Sequence, residues 1–244
     1  MTYEQIIPRA RIGFIIPSSN RMVEPQVQRW MPAGVIPHFT RIGMTNRHKA
    51  PLDQLLPRIL EATSLLADSK CDAIILQCTG TSMSGGVDME KHVIAEMSKT
   101  CGRPTASAAS SLTAAFEALS ARRLVFLSET KQAGHDKKIA YLKESGYELV
   151  GDKAVGLASS DEYCVTPPQR WFDEAMALRN DKADAYFISC ANIHAIDVIA
   201  RLEAALQRPV VTTNQAAIWR SLRAAGLSDD VPGLGALMKL PAHV

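Results

Sequence analysis

The sequence predicts an α/β protein of two pseudo-symmetric, Rossmann-like lobes, each with a parallel sheet, and an active site in the cleft between them. Three observations carry this. Short apolar runs alternate with amphipathic helical patterns, the signature of parallel strands joined by helical crossovers. The chain also repeats itself: Lys70-Cys71-Asp72-Ala73, four more residues and Cys78 are matched by Lys182-Ala183-Asp184-Ala185, four more residues and Cys190. The two cysteines are 112 residues apart, and at that same offset Arg11-Ile12-Gly13-Phe14-Ile15 lies over Arg123-Leu124-Val125-Phe126-Leu127. Finally, clusters of hydroxyl and amide side chains fall where strands should end. With 244 residues and 47% hydrophobic side chains, the chain can bury a sizeable core, as one large domain or as two lobes of roughly 110 to 120 residues.

The elements follow in order. Residues 11–16 read as the first strand, ending at Pro17-Ser18-Ser19-Asn20, and residues 23–30 have a helical composition. Residues 35–42 form a second strand, and residues 52–67 an amphipathic helix with Leu55, Leu56, Ile59, Leu60 and Thr63 at helical spacing. Residues 73–77 make a buried strand. Gly85-Gly86 interrupts the chain before a helix over 87–98, and another helix follows over 110–118. The second half repeats the order: strand 124–127, helix 135–145, strand 148–155, helix 169–179, strand 185–189, helix 195–206, strand 210–212 and a closing helix over 215–225. The lobes divide at residues 1–120 and 121–244, with the closing helix of each expected to pack across onto the other. Residues 228–244, with Pro232, Gly233, Gly235 and Pro241, read as a loose tail.

Composition excludes several function classes. The net charge is only +2, and Lys and Arg are interspersed with Asp and Glu, so no nucleic-acid partner is indicated. Apolar runs are too short to span a bilayer. Residues 1–10 contain Glu4, Pro8 and Arg9 and lack the apolar core of a signal peptide, so a cytoplasmic protein is expected. Five cysteines without metal-type spacing read as free thiols. His92, His135 and His194 share no metal-ligand spacing, and neither GxGxxG nor GxxxxGK[ST] occurs, so no metal or cofactor is expected.

In open α/β sheets, ligands bind beyond the carboxyl ends of strands. Four clusters fall there: Pro17-Ser18-Ser19-Asn20, Cys78-Thr79-Gly80-Thr81-Ser82, Ser189-Cys190-Ala191-Asn192 and Thr212-Thr213-Asn214. None contains Arg or Lys, so an anionic ligand would be held mainly by hydrogen bonds. Ser, Thr and Asn are also favoured helix caps, and Cys is often a buried small hydrophobe. That second reading suits Cys71, Cys101 and Cys164. The repeat and the polar flanks make Cys78 and Cys190 the candidate catalytic pair, with a helix N-terminus expected to lower the Cys78 pKa.

From about Arg11 to Gly226 the chain resembles the aspartate/glutamate racemase superfamily, in the branch containing maleate cis-trans isomerase and arylmalonate decarboxylase. The resemblance rests on Pro17-Ser18-Ser19-Asn20, on Gln77-Cys78-Thr79-Gly80-Thr81-Ser82 and on Ile188-Ser189-Cys190-Ala191-Asn192. It implies cofactor-free chemistry with Cys78 as nucleophile and Cys190 as partner acid/base. Asn20 and Asn192 become candidate carboxylate ligands, with Ser18, Ser19, Thr79, Thr81, Ser82 and Ala191 completing the expected substrate site. The decarboxylases commonly have Gly in place of the first cysteine, so Cys78 favours an isomerase or racemase. The implied partner is a small carboxylate or dicarboxylate, and a homodimer would be ordinary for such a family.

The sequence departs from the family in one place. A substrate-contacting Tyr usually follows the strand at 124–127, often with an Asn a few residues on. Here the chain reads Ser128-Glu129-Thr130-Lys131-Gln132-Ala133-Gly134-His135-Asp136. Thr130, Lys131 and His135 read as a solvated loop leading into a helix, although Lys131 turned inward would alter the charge of the site. The expected function is maleate-type cis-trans isomerisation. The alternatives are an Asp/Glu-type racemase, an arylmalonate-type decarboxylase and a non-catalytic small-acid binding protein.

Overall fold

The computed structural model describes residues 7–241. Most of the N-terminal stretch searched for a signal peptide, and residues 242–244 of the expected tail, lie outside the described residues. The first lobe contains β1 (Ala10–Pro17), α1 (Val23–Trp30), β2 (Val35–Ile42), α2 (Leu52–Asp68), β3 (Ala73–Leu76), α3 (Thr79–Met83), α4 (Gly86–Cys101), β4 (Thr105–Ser107) and α5 (Ala108–Ala118). The second contains β5 (Arg123–Ser128), α6 (Gln132–Glu144), β6 (Glu148–Ala154), α7 (Ser160–Val165), α8 (Pro168–Ala177), β7 (Ala185–Ile188), α9 (Ile199–Leu206), β8 (Val210–Thr212) and α10 (Thr213–Ala224).

The strands form two four-stranded sheets, ordered β2-β1-β3-β4 and β6-β5-β7-β8, with every pairing parallel. The repeat is written into their hydrogen bonds. Asp72 accepts the Arg11 N–H at 2.8 Å, and Asp184, 112 residues on, accepts the Arg123 N–H at 2.8 Å. At the other end, Gln77 N–H donates to Ile15 O and Ser189 N–H to Leu127 O, both at 2.8 Å. Each conserved offset therefore fixes how the third strand of a lobe locks onto its first. The cysteine-bearing residues follow at matching places.

The core explains why the lobes stay together. A continuous apolar cluster runs from Ile12 and Phe14 of β1 through Leu112 and Phe116 of α5 to Phe126, Phe187, Ile218 and Trp219 of the second lobe. Phe116 packs edge-on against both Tyr147 and Phe187. The closing helices cross as expected, with α5 packed on α10 and β8, and α10 on β3 and β4. The two lobes therefore share a core.

Several local readings needed correction. β4 is only Thr-Ala-Ser and exists as a strand because it pairs with β3. The single helix read over 195–206 begins as a 3-10 turn at Ala195–Val198 and becomes α-helical only in α9. The end of the chain is not a loose tail: Leu234, Leu237 and Met238 are fully buried, a 3-10 turn forms at Ala236–Lys239, and Trp219 Nε1 donates to Leu240 O. Apolar spacing in that segment was too sparse to read as an element, yet it seals one end of α10.

Candidate active site

Cys78 lies two residues beyond β3 and occupies the N-cap position of α3, with extended backbone at φ −150°. Cys190 follows β7 at the equivalent place. Both line one chamber of about 120 Å³ between the lobes, together with Asn20, Thr79, Glu129, Tyr163 and Asn192. The two thiols thus come from opposite lobes to a common space.

Each sulfur has a local partner. The Cys78 thiol lies 3.1 Å from Thr81 Oγ1, which accepts from the thiol and can donate to the thiolate. Cys190 Sγ accepts the Asn192 N–H at 3.3 Å, and the Cys190 N–H donates to Thr213 Oγ1 at 3.2 Å. The Cys190 backbone sits at φ +107°, a region costing a non-glycine residue about 1–3 kcal/mol.

The expected lowering of the Cys78 pKa is overturned. Burial pushes its thiol above the ordinary value, with the Thr81 donors and the Lys138 charge opposing that rise. A helix of five residues beside a thiol only 8% exposed does not offset desolvation. Cys190 is raised further, first by burial and then by the Glu129 carboxylate, against the opposing Lys138 charge. Cys71 is buried and pushed up to about 11, and Cys101 and Cys164 lie outside the chamber.

The candidate ligands divide by what their side chains already hold. Asn20 Oδ1 accepts the N–H groups of Met22 and Val23 at 2.9 Å, and its Nδ2 donates across the cleft to Ala191 O at 3.0 Å. In the other direction, Asn192 Oδ1 accepts the Arg21 N–H at 2.8 Å, while its Nδ2 donates to Ser160 O at 3.2 Å. The two asparagines therefore stitch the lobes together at the chamber wall, each keeping one amide hydrogen uncommitted. Beneath them Gln26, Gln77, Thr79, Thr213 and Asn214 form a buried cross-lobe network: Gln26 Nε2 donates to Ile193 O, Asn214 Nδ2 to Gln26 Oε1, Gln77 Nε2 to Asn214 Oδ1 and Thr79 Oγ1 to Thr213 Oγ1. Such a network fixes the cleft floor because every lost partner would leave a buried dipole unpaired.

Ser19 lines the chamber and shares a hydrogen bond with Thr45, while Ala191 contributes its wall and its carbonyl. Thr81 holds the Cys78 sulfur. Ser18 and Ser82 are not brought to the chamber. Ser18 is exposed on an outer groove beside Arg21 and Arg41. Ser82 is fully buried and donates to the carbonyls of Cys78 and Thr79, so it stabilises the first turn of α3.

The loop after β5 holds what the sequence reading missed. Lys131 is exposed on the loop leading into α6, as read, but His135 is on the helix and fully buried: it stacks on Phe126 and bonds Ser128 and Asp152. The residue that lines the chamber is Glu129, held by the buried Lys138 at 2.8 and 2.6 Å, with Lys138 also donating to Ser189 at 3.0 Å. Three donor directions of one ammonium are thereby satisfied. A tyrosine reaches the chamber after all, from α7: Tyr163 lines it with Cys190 and Glu129, and burial raises its pKa. Thr45 and Ser160 were likewise missed. Thr45, Ser160 and Tyr163 belong to no strand-end cluster, and Glu129, although it directly follows β5, stood in a segment read as a solvated loop.

Among the described residues, no helix is long and apolar enough to cross a membrane, and no group of three or more His, Cys, Asp and Glu side chains is placed to hold a metal ion.

The chain matches the family model described as arylmalonate decarboxylase over residues 12–238. It is 26% identical to the maleate isomerase of Nocardia farcinica, across 96% of this chain and 97% of that one. The fold superposes on a Pseudomonas putida S16 maleate isomerase variant with maleate, at a TM-score of 0.87 and 21% identity over 94% of this chain and 97% of the other. It also superposes on a cysteine-to-serine variant of N. farcinica maleate cis-trans isomerase carrying a covalently bound succinylcysteine intermediate, at a TM-score of 0.85 and 23% identity over 94% and 98%. These likenesses extend over both lobes and the cleft between them. The protein belongs to the arylmalonate decarboxylase family.

Proposed function

We propose that the protein is a cofactor-independent cis-trans isomerase of a small unsaturated acid of the maleate type. The observation that carries this reading is the placement of Cys78 and Cys190 on opposite walls of one inter-lobe chamber. Binding alone requires neither thiol, and the decarboxylases resemble the same plan with Gly at the first position. The succinylcysteine reported for the N. farcinica relative is the adduct such a reaction would form.

The reactive form carries one negative charge on the pair. The Cys78 thiolate, stabilised by Thr81, adds to one alkene carbon, and the Cys190 thiol gives its proton to the neighbouring carbon. The adduct now has a single C–C bond and rotates about it. Cys190, left as thiolate, removes a proton from the same carbon, and the carbon–sulfur bond breaks to return the Cys78 thiolate and the trans product. Atoms and charge balance without an added oxidant, reductant or metal. The uncommitted amide hydrogens of Asn20 and Asn192 point to carboxylate binding, and Lys138 moderates the charge of the chamber through Glu129.

Free thiols of this kind suit a reducing compartment, which supports a cytoplasmic location, testable by fractionation. The family resemblance supports a homodimer, testable by light scattering. The activity test is NMR of maleate with the purified protein in deuterated water. Fumarate formation supports the reading. Solvent deuterium at the α-carbon of an amino acid, or carbon dioxide released from a substituted malonate, would replace it with racemisation or decarboxylation.

A further inference from the structure

The thiol chamber opens into a second one. The larger space, about 620 Å³ against about 120 Å³, lies between the lobes where the segment after β2 and the helices α3 and α6 face each other. Cys78, Gly80, Glu129 and Tyr163 line both spaces, so the nucleophile stands at their junction. A four-carbon diacid held between the two cysteines would leave the larger chamber empty.

Its lining is of mixed character. Met44, Met83 and Tyr141 give it an apolar wall, and Lys49, Lys137 and Lys138 bring ammonium groups to it. The charges are not equally available. Lys138 is consumed by Glu129 and Ser189, and the Glu144 carboxylate accepts the Val87 N–H at 3.2 Å. Lys49 and Lys137 are exposed, and among the described residues neither has a hydrogen bond or ion pair with the protein. The chamber therefore has an apolar middle and a rim where Lys49 and Lys137 outnumber the single Glu144 carboxylate, leaving an excess of positive charge. Two such amines on facing lobes, at the outer end of an apolar passage leading from a nucleophile, match an anionic group several bonds from the reacting carbon.

We propose that this second chamber binds the tail of the substrate, which is an unsaturated acid bearing an extended, partly apolar substituent that ends in an anionic group held by Lys49 and Lys137. The inference rests on the isomerase reading for which end of the molecule reacts, but not for whether the tail binds. Burial of a short alkyl segment supplies apolar contact, and the two amines select the charged terminus over a neutral one. Both lysines lie outside the thiol chamber, so their removal leaves the thiols and their partners in place.

The test is calorimetric and uses saturated acids, which cannot isomerise: succinate, 2-butylsuccinate and 2-(4-carboxybutyl)succinate, each titrated into the wild-type protein and into Lys49→Met and Lys137→Met. The expected result is at least about tenfold tighter binding of the carboxybutyl compound than of succinate, with roughly threefold to fivefold lost for each lysine replaced and no change for succinate. Added salt should narrow the gap between the carboxybutyl and butyl compounds. Equal affinity for succinate and both longer acids would overturn the chamber as a tail site, as would no binding by any of them. Equal binding of the two longer acids, unchanged in the lysine variants, would overturn the anionic terminus. Because affinity is read without turnover, failure to isomerise maleate would count against the proposed reaction and not against the tail site.

Discussion

Cys78 and Cys190 end equivalent strands of equivalent sheets, yet the chain holds them by different means. After β3 the backbone stays extended through Cys78 and turns directly into α3, so the thiol is buried and held by the hydroxyl of that helix's own Thr81. After β7 there is no such helix. Cys190 sits at φ +107°, half-buried, its sulfur held by the Asn192 N–H and its own N–H by Thr213. The second lobe also places a buried ion pair, Glu129 with Lys138, beside the thiols, and the described residues of the first lobe hold no equivalent. The repeat thus duplicates the scaffold while the residues between repeats assign the two sulfurs different surroundings, which suits the proposed division into nucleophile and proton carrier.

The largest test of this asymmetry removes one half of the ion pair. Lys138→Met leaves the Glu129 carboxylate buried without its cation, and a loss of about 3–5 kcal/mol in urea unfolding is expected. Adding Glu129→Gln to that variant should recover much of the loss. A neutral Lys138→Met would show that the pair is solvated rather than buried.

Next in size is the proposed proton carrier. Cys190→Ser keeps a small polar side chain on the same turn, but its hydroxyl is a far weaker acid than a thiol, so turnover should fall roughly 10²-fold or more. Progress curves for maleate isomerisation measure it, and wild-type turnover would remove Cys190 from the chemistry. The pH dependence is smaller and has a definite sign. Both thiols are raised by burial, so below those pKa values each unit of added alkalinity increases the thiolate fraction about tenfold. In the free protein kcat/KM should therefore still be rising as pH passes the ordinary thiol value of 9.0. A plateau beginning near pH 7 would show that a neighbouring cation overcomes burial.

The smallest effect separates the two backbones. At Cys190 glycine adopts the positive φ freely, so Cys190→Gly should gain up to about 1 kcal/mol in stability after the lost side-chain contacts are deducted, whereas Cys78→Gly, on extended backbone, should lose a similar amount. Denaturant midpoints of the two variants make the comparison, and a stability loss at both positions would remove the claim of strain at Cys190.

How much of this was legible depended on the range of the forces involved. Strands such as β1, β3 and β7 are continuous apolar runs, and their pairing left a repeat in the sequence through Asp72 and Asp184. β4 left none, because a Thr-Ala-Ser segment becomes a strand only against β3. Cys78, Cys190, Asn20, Thr79 and Asn192, which line the chamber, could be read as candidates because each lies within four residues of the end of an apolar strand. Lys138 was hidden because a lysine on an amphipathic helix normally faces water, and its partner lies nine residues back, outside helical spacing. Tyr163 was hidden because α7 is short and lacks an apolar stripe, so nothing local announced that tertiary folding would bring its ring beside Cys190.

Whether Cys78 forms the carbon–sulfur bond and Cys190 moves the proton is decided by intact-protein mass spectrometry of Cys78→Ser and Cys190→Ser incubated with maleate. A succinyl adduct is expected on Cys78 in the Cys190→Ser protein and none in the Cys78→Ser protein. An adduct on Cys190 in the Cys78→Ser protein, with none on Cys78 in the other variant, would contradict that assignment and exchange the two roles.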